Sequence, residues 1–234
     1  MRTGEPYGAI YGTQVARSPS GAYLIDKTTG NVLGTNDGRV IGNPNPDFTL
    51  GWTSTFSFRG FFLTTLFDWK QGGDFYSTTA GSLTLRGQLA NTEDREGVRV
   101  IPGVYGDPST LEPVLADGKE IPNTTSISAF SFFFTNFGPY GPDETNIYDG
   151  TIVRFRELSV GYSLPKKWLS KTPLGALRLS LSGRNLWFRT PNLPEGLNLD
   201  PEVLGETADS NILGFEYGAY PTTKRYGINL QATF

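Results

Sequence analysis

The stretch Tyr226-Gly227-Ile228-Asn229-Leu230-Gln231-Ala232-Thr233-Phe234 decides the fold, because its apolar residues fall at every second place without exception. A period of two sends Tyr226, Ile228, Leu230, Ala232 and Phe234 to one face of a strand, and Gly227, Asn229, Gln231 and Thr233 to the other. An apolar strand at a chain end frays unless something pairs with it. A closed membrane barrel supplies the pairing, since its last strand joins its first and shows alternate residues to lipid. The alternative is the last strand of a soluble β-sandwich.

The same alternation recurs upstream. Phe48, Leu50, Trp52, Phe56 and Phe58 share one parity against Thr49, Gly51, Thr53, Thr55 and Ser57. Past Arg59-Gly60, too short for anything but a tight hairpin, Leu63, Thr65, Phe67 and Trp69 alternate with Thr64, Leu66, Asp68 and Lys70. Leu158, Val160, Tyr162 and Leu164, then Leu177, Leu179 and Leu181, repeat it. With a weaker run of Tyr7, Ile10, Tyr11 and Val15 at the front, six antiparallel strands are expected over 4–16, 48–59, 61–71, 152–164, 176–188 and 222–234. Runs of about 10 to 12 residues suit a tilted strand crossing a bilayer and exceed the usual soluble strand of about 5–6.

Connections at 59–60 and 165–175 are short, whereas those at 17–46, 71–150 and 189–223 are long. A small hairpin through residues 22–25 and 32–33 is expected inside the first of the long ones. A compact soluble domain tolerates connections of this length poorly, but a bacterial barrel has short periplasmic turns and long outward loops. The fold class expected is therefore all-β: an antiparallel transmembrane barrel segment of about six strands, Phe234 at the periplasmic side.

Composition narrows the chemistry. Aromatic residues reach 13% of a chain only 37% apolar, an excess of rings that suits interfacial girdles; Trp52, Trp69, Trp168 and Trp187 are assigned to such belts or to strand ends. No run approaches the roughly 18 apolar residues of a spanning helix. The absence of histidine removes imidazole bases and His-ligated zinc, and the absence of cysteine removes disulfides and thiolate sites. A net charge of −3 gives no case for nucleic acid. Glu93, Asp94 and Glu96 sit in a glycine-flanked loop without the partners of a glycosidase pair, so no enzyme is expected.

Several strings resemble, in order, the C-terminal region of SusC/RagA-type TonB-linked outer-membrane proteins. They are Ile41-Gly42-Asn43-Pro44-Asn45-Pro46-Asp47-Phe48, Phe56-Ser57-Phe58-Arg59-Gly60-Phe61, Gln71-Gly72-Gly73-Asp74-Phe75-Tyr76, the run from Arg154 through Arg156-Glu157-Leu158 to Pro165, Gly183-Arg184-Asn185-Leu186, and Asp200-Pro201-Glu202. The resemblance implies the C-terminal part of a TonB-dependent barrel of roughly 22 strands from the Bacteroidota outer membrane. It covers residues 1–234, with plug domain and TonB box expected upstream because no secretory leader or plug is read here. It also implies the partners: a SusD-like surface lipoprotein, TonB-ExbB-ExbD acting through the upstream part, the barrel-assembly machinery, outer-membrane lipid, and an oligosaccharide or peptide substrate. A soluble β-rich carbohydrate-binding module is the alternative.

Site residues follow from the same two sources. Tyr226, Ile228, Leu230, Ala232 and Phe234 are the expected barrel-assembly signal. Glu157, Arg178 and Arg184 are expected at the lumen, as contacts to plug or substrate or as a ladder of structural ion pairs. Arg154 and Arg156 share parity with Leu158 and Val160 and are expected above the lipid band. The aromatic island at Phe130, Phe132, Phe133, Phe134 and Phe137 is either a sugar-stacking platform or the small core of its own loop. Many relatives carry an Asp-rich, calcium-loop-like insert where this chain reads Gly34-Thr35-Asn36-Asp37-Gly38-Arg39-Val40. Asn36 and Asp37 alone offer too few of the six to eight oxygens calcium takes, so neither metal nor cofactor is expected.

Overall fold

A computed structural model describes residues 3–202 and 213–234; residues 1–2, and residues 203–212 within the loop expected over 189–223, lie outside the described residues. The chain forms two compact units. One holds Pro46–Gly72, Thr151–Pro191 and Pro221–Phe234; the other holds Met1–Asn45, Gly73–Gly150 and Asn192–Tyr220.

The first unit is a five-stranded sheet: β1 (Pro46–Phe58), β2 (Phe61–Gly72), β3 (Ile152–Ser163), β4 (Ala176–Arg189) and β5 (Arg225–Thr233), side by side in chain order. Every neighbouring pair is antiparallel. Arg59 and Gly60 make the β1–β2 turn with φ of 47° and 90°, the two positive values that a twist-matched two-residue hairpin needs. The tight connections leave one end of the sheet, and all the long segments leave the other.

The expected first strand does not join this sheet. Only Ile10–Gly12 is extended, and it pairs with Arg39–Gly42 in a separate two-stranded sheet. Gly4 and Gly8, with φ of 92° and 73°, break the run before it can lengthen, and Ile10 is buried in the second unit. Five of the six expected strands thus make the meander.

The second correction concerns β3. Between Phe155 and Glu157 the register with both neighbours shifts: Arg156 is an extra residue against β2, and β4 in turn carries one residue more than β3 there. Phe155 lies opposite Phe67, and Arg154 lies opposite Asp68. The bulge resets the parity: Phe155 joins the face of Leu158 and Val160, while Arg154 turns to the other face and is 1% exposed. Arg154 and Arg156 therefore do not share the apolar face. Asn185, at φ 51°, sits in the matching irregularity of β4.

The long connections build their own cores. Ile25, Ile101 and Ile127 form one cluster with Val32 and Phe132 against it, Ala16, Leu24 and Val104 a second, and Ala80, Leu89 and Leu197 a third. The expected hairpin is present, closed by Asp26 N–H to the Asn31 carbonyl and Leu33 N–H to that of Leu24. Two short helices, not foreseen as helices, lie here: α1 (Thr78–Leu85), capped by Ser77, and α2 (Ala129–Asn136), capped by Ser128. Ser77 is tied in turn to Glu216, which is 2% exposed. The Glu216 carboxylate accepts from Ser77 Oγ at 2.6 Å, Thr79 Oγ1 at 2.7 Å, Thr79 N at 3.2 Å and Ala219 N at 2.9 Å. Replacing Glu216 with Ala strands these donors, three of them at the start of α1, and is expected to cost about 3 kcal/mol of local stability. Hydrogen exchange of the α1 amides in the complete protein checks this, and unchanged protection would count against it.

Candidate functional site

The two faces of the sheet differ in chemistry. On one, cross-strand neighbours align Trp52 with Phe67 and Phe67 with Phe155, the latter pair stacked at 4.6 Å, and Leu63 with Val160 and Leu181. Phe48 meets Trp69 edge-on at 5.1 Å, and Phe61 meets Tyr162 at 4.5 Å. This face is not a core: Trp52 is 65% exposed, Leu181 57%, Ile228 76% and Leu230 68%. Burying one such side chain is worth about 1.5–3 kcal/mol, so a water-soluble fold would not leave the row uncovered. A soluble carbohydrate-binding sandwich would put these residues between two sheets, and here they face outward from one.

The expected assembly-signal residues lie on this face. Tyr226, Ile228, Leu230 and Ala232 follow one another along β5, opposite Gly183, Leu181, Leu179 and Leu177. Phe234 follows the strand and is 87% exposed.

The other face carries the charge. Arg156 pairs with Asp68, and Arg184 Nε lies 3.3 Å from Glu157. Arg225 stands directly opposite Arg184, an unfavourable like-charge pairing that leaves positive charge in excess. Leu66, Arg156, Glu157, Arg184, Asn185 and Arg225 enclose a cavity of about 420 Å³ at the bulge. With Glu157 in the lining and Asp68 beside it on Arg156, three guanidiniums leave one positive charge in excess, which favours an acidic occupant there. Two expected lumen residues, Glu157 and Arg184, are thus brought together. Arg178 is not with them, for it lies six residues along β4, about 20 Å away. Its guanidinium covers the ring of Phe62 at 3.5 Å. Phe62 in turn lies across Gly161, where a Cβ would stand 2.2 Å from the ring. Arg178 therefore has a structural partner of its own. Sequence reading missed Arg225 and Asn185 and set Arg156 above the lipid band; the bulge that unites them leaves no mark in a period-two pattern.

Among the described residues no group of three acidic, histidine or cysteine side chains could hold a metal. Asp37, singled out as an oxygen donor, faces Arg39 at 3.6 Å.

A single sheet with a ring-rich outward face and a charged opposite face is a piece of transmembrane β-barrel wall, and its place is the outer membrane. No family model matches the chain. Over its whole length it is 26% identical to TonB-dependent receptor P3 of Formosa agariphila, covering 23% of that protein. It is 24% identical over 92% of its length to TonB-dependent receptor P26 of the same organism, covering 20% of it. The chain thus spans about a fifth to a quarter of these curated relatives. In fold it is similar to the RagAB peptide importer in its open-open state, with a TM-score of 0.53 at 18% identity over 99% of this chain and 23% of that one. The closed-closed state gives 0.56 at 17% identity over 97% and 23%. Sequence and fold agree on the type: the chain is similar to a segment of TonB-dependent receptors and, in fold, to the RagAB barrel. The relatives are named as receptors and these structures as a peptide importer.

The assignment of faces has a direct test. In the complete protein, Leu179→Arg puts a charge in the lipid band and is expected to cost about 2–4 kcal/mol, whereas Ser180→Arg, one residue along on the polar face, costs little. Heat-modifiable gel migration should show less folded barrel for the first variant only. Equal yields of the two would contradict the assignment.

Proposed function

We propose that this chain forms part of the wall of a TonB-dependent outer-membrane importer that takes up oligosaccharide or peptide. The observation that carries the proposal is the five-stranded meander with one lipid-type face and one charged face. The similarity to proteins named TonB-dependent receptors and to the RagAB peptide importer supports it. In this account the chain is the C-terminal part of the barrel, and the plug and TonB box lie in the portion of the relatives that it does not span. The charged face looks into the lumen. The arginine-rich cavity around Glu157 and Arg184 holds an acidic group of the plug, and Arg178 braces the wall through Phe62. TonB-ExbB-ExbD drives uptake through the plug, and a SusD-like lipoprotein works at the outer side, as the resemblance implies.

The run from Tyr226 to Phe234 acts in this account as the signal read by the barrel-assembly machinery. Its alternating apolar face and terminal aromatic are the features such a reader would meet, and its outer edge pairs with the first strand of the whole barrel. Left unpaired in hydrocarbon, each backbone group on that edge would cost several kcal/mol. Deleting residues 226–234 from the complete protein is expected to abolish assembled barrel and nutrient uptake while synthesis and export continue, with periplasmic degradation rising. Deleting Phe234 alone should lower assembly in part. A full yield of importing protein after the longer deletion would refute the role.

A further inference from the structure

The aromatic island resolves into two sets of rings with different fates. On α2, Phe133 is buried, and Phe132 and Phe137 meet edge-on at 5.6 Å to make the small core. Arg99 lies over Phe132 and Phe133 at 5.2 Å and 4.8 Å. Phe130 and Phe134, four residues apart on the helix, point away from Phe132, with Phe133 between the two sets. They stack on each other at 5.3 Å, and Phe134 stacks on Tyr140 at 4.8 Å. Phe130 is 67% exposed and Tyr140 62%.

This ring row, with the edge of the otherwise buried Phe133, forms one wall of a cleft of about 490 Å³ whose other side is Leu85, Arg86, Gly87 and Arg95. The cleft lies within the second unit. The end of α1 shapes that side. Gly87, at φ 66°, donates to the Thr84 carbonyl and Gln88 donates to that of Leu83, the paired bonds of a glycine-terminated helix. They fix Arg86 at the cap, exposed. Arg95 donates to the Gly87 carbonyl and is held at the rim.

The wall chemistry selects an occupant. Rings and Leu85 supply a large apolar surface, and the charged groups are two guanidiniums with no acidic side chain among the lining residues. Glu93, Asp94 and Glu96 lie nearby in sequence but do not line it. A neutral glycan would bring many hydroxyls to a surface without Asp, Glu, Asn or Gln and leave them without acceptors. A sulfated glycan would satisfy the arginines but set a polar body against the rings. A molecule that is apolar with one carboxylate matches both walls, since guanidinium binds carboxylate in a bidentate fork. The carbonyl end of α1 is a weakly negative pole, and Arg86 at its cap offsets it.

We propose that this cleft binds the C-terminal residue of an apolar peptide, the side chain packed on Phe130, Phe134 and Tyr140 and the terminal carboxylate met by Arg86 and Arg95. The proposal rests on the import reading only for where the peptide goes next, and it names the peptide class for that importer.

The test uses the complete protein in detergent and a fluorescein-labelled peptide of three alanines ending in phenylalanine, as free acid and as C-terminal amide. The acid should bind saturably and the amide about tenfold more weakly. Arg86→Ala and Phe134→Ala should each weaken the acid about tenfold, with Arg86→Lys recovering part of the loss. Both side chains are on the surface, and heat-modifiable migration of each variant confirms the folded barrel. Equal binding of acid and amide, no binding of either, indifference to both variants, or capture of a sulfated oligosaccharide in the peptide's place would overturn the proposal. Peptide uptake that persists with variant-insensitive binding would sink the cleft and leave the importer standing. The expected binding pattern without any uptake would do the reverse.

Discussion

The structure depends on one constraint: an apolar sheet face carrying Trp52, Phe56, Phe67, Trp69, Phe155 and Trp187 must have an apolar medium against it. Most of these side chains are exposed, and most of the buried hydrophobic residues lie in the other unit. Hydrocarbon resolves the conflict, since lipid tails accept the rings and the antiparallel ladder satisfies the backbone groups that lipid cannot. Once that face is assigned, the alternation of every strand sends the polar residues inward. The ion pairs of Asp68 with Arg156 and Glu157 with Arg184 then lie on the side where charge is tolerated.

The strings that carry the family resemblance turn out to serve geometry. Gly72 and Gly73, with φ of 69° and 82°, turn the chain out of β2. Just beyond, Asp74 accepts from Asn43 N–H at 2.8 Å and donates its own N–H to the Asn43 carbonyl at 2.7 Å, so the Ile-Gly-Asn-Pro and Gln-Gly-Gly-Asp strings bind each other. Arg156 and Asn185, from two other strings, form the bulge. None of these groups lines the aromatic cleft. A sequence signature of this kind identifies how the wall is built.

Legibility in the sequence follows from this division. The five long strands and their facing were readable because one burial rule acts on every second residue for nine or more positions. The bulge was not, since a single inserted residue at Arg156 reverses parity while leaving each half of β3 regular, and so Arg154 and Arg156 were set on the wrong face. The run over residues 4–16 was overread because two of its apolar residues are real core residues; Ile10 and Val15 are buried, while Tyr7 and Tyr11 are exposed and glycines at positive φ prevent a long strand. Both helices of the long connection announce themselves weakly, through Ser77 and Ser128 as caps. The spacing of Phe130 and Phe134 was the one available sign of the cleft. Glu157 and Arg184 were found from their charge on the parity opposite the apolar face; Arg225 joins them only through the pairing of β4 with β5.

The central claim is that the two faces of β5 meet different solvents, and the chain's lack of cysteine makes a site-by-site measurement simple. Single cysteines at positions 226 to 233, spin-labelled in the complete protein in lipid bilayers, report collision with lipid-soluble oxygen and with a water-soluble nickel complex. The account requires a period of two, oxygen access peaking at 226, 228, 230 and 232 and falling at 227, 229 and 231. Uniform access to the nickel complex along the strand, or a maximum of oxygen access on the odd positions, would contradict it.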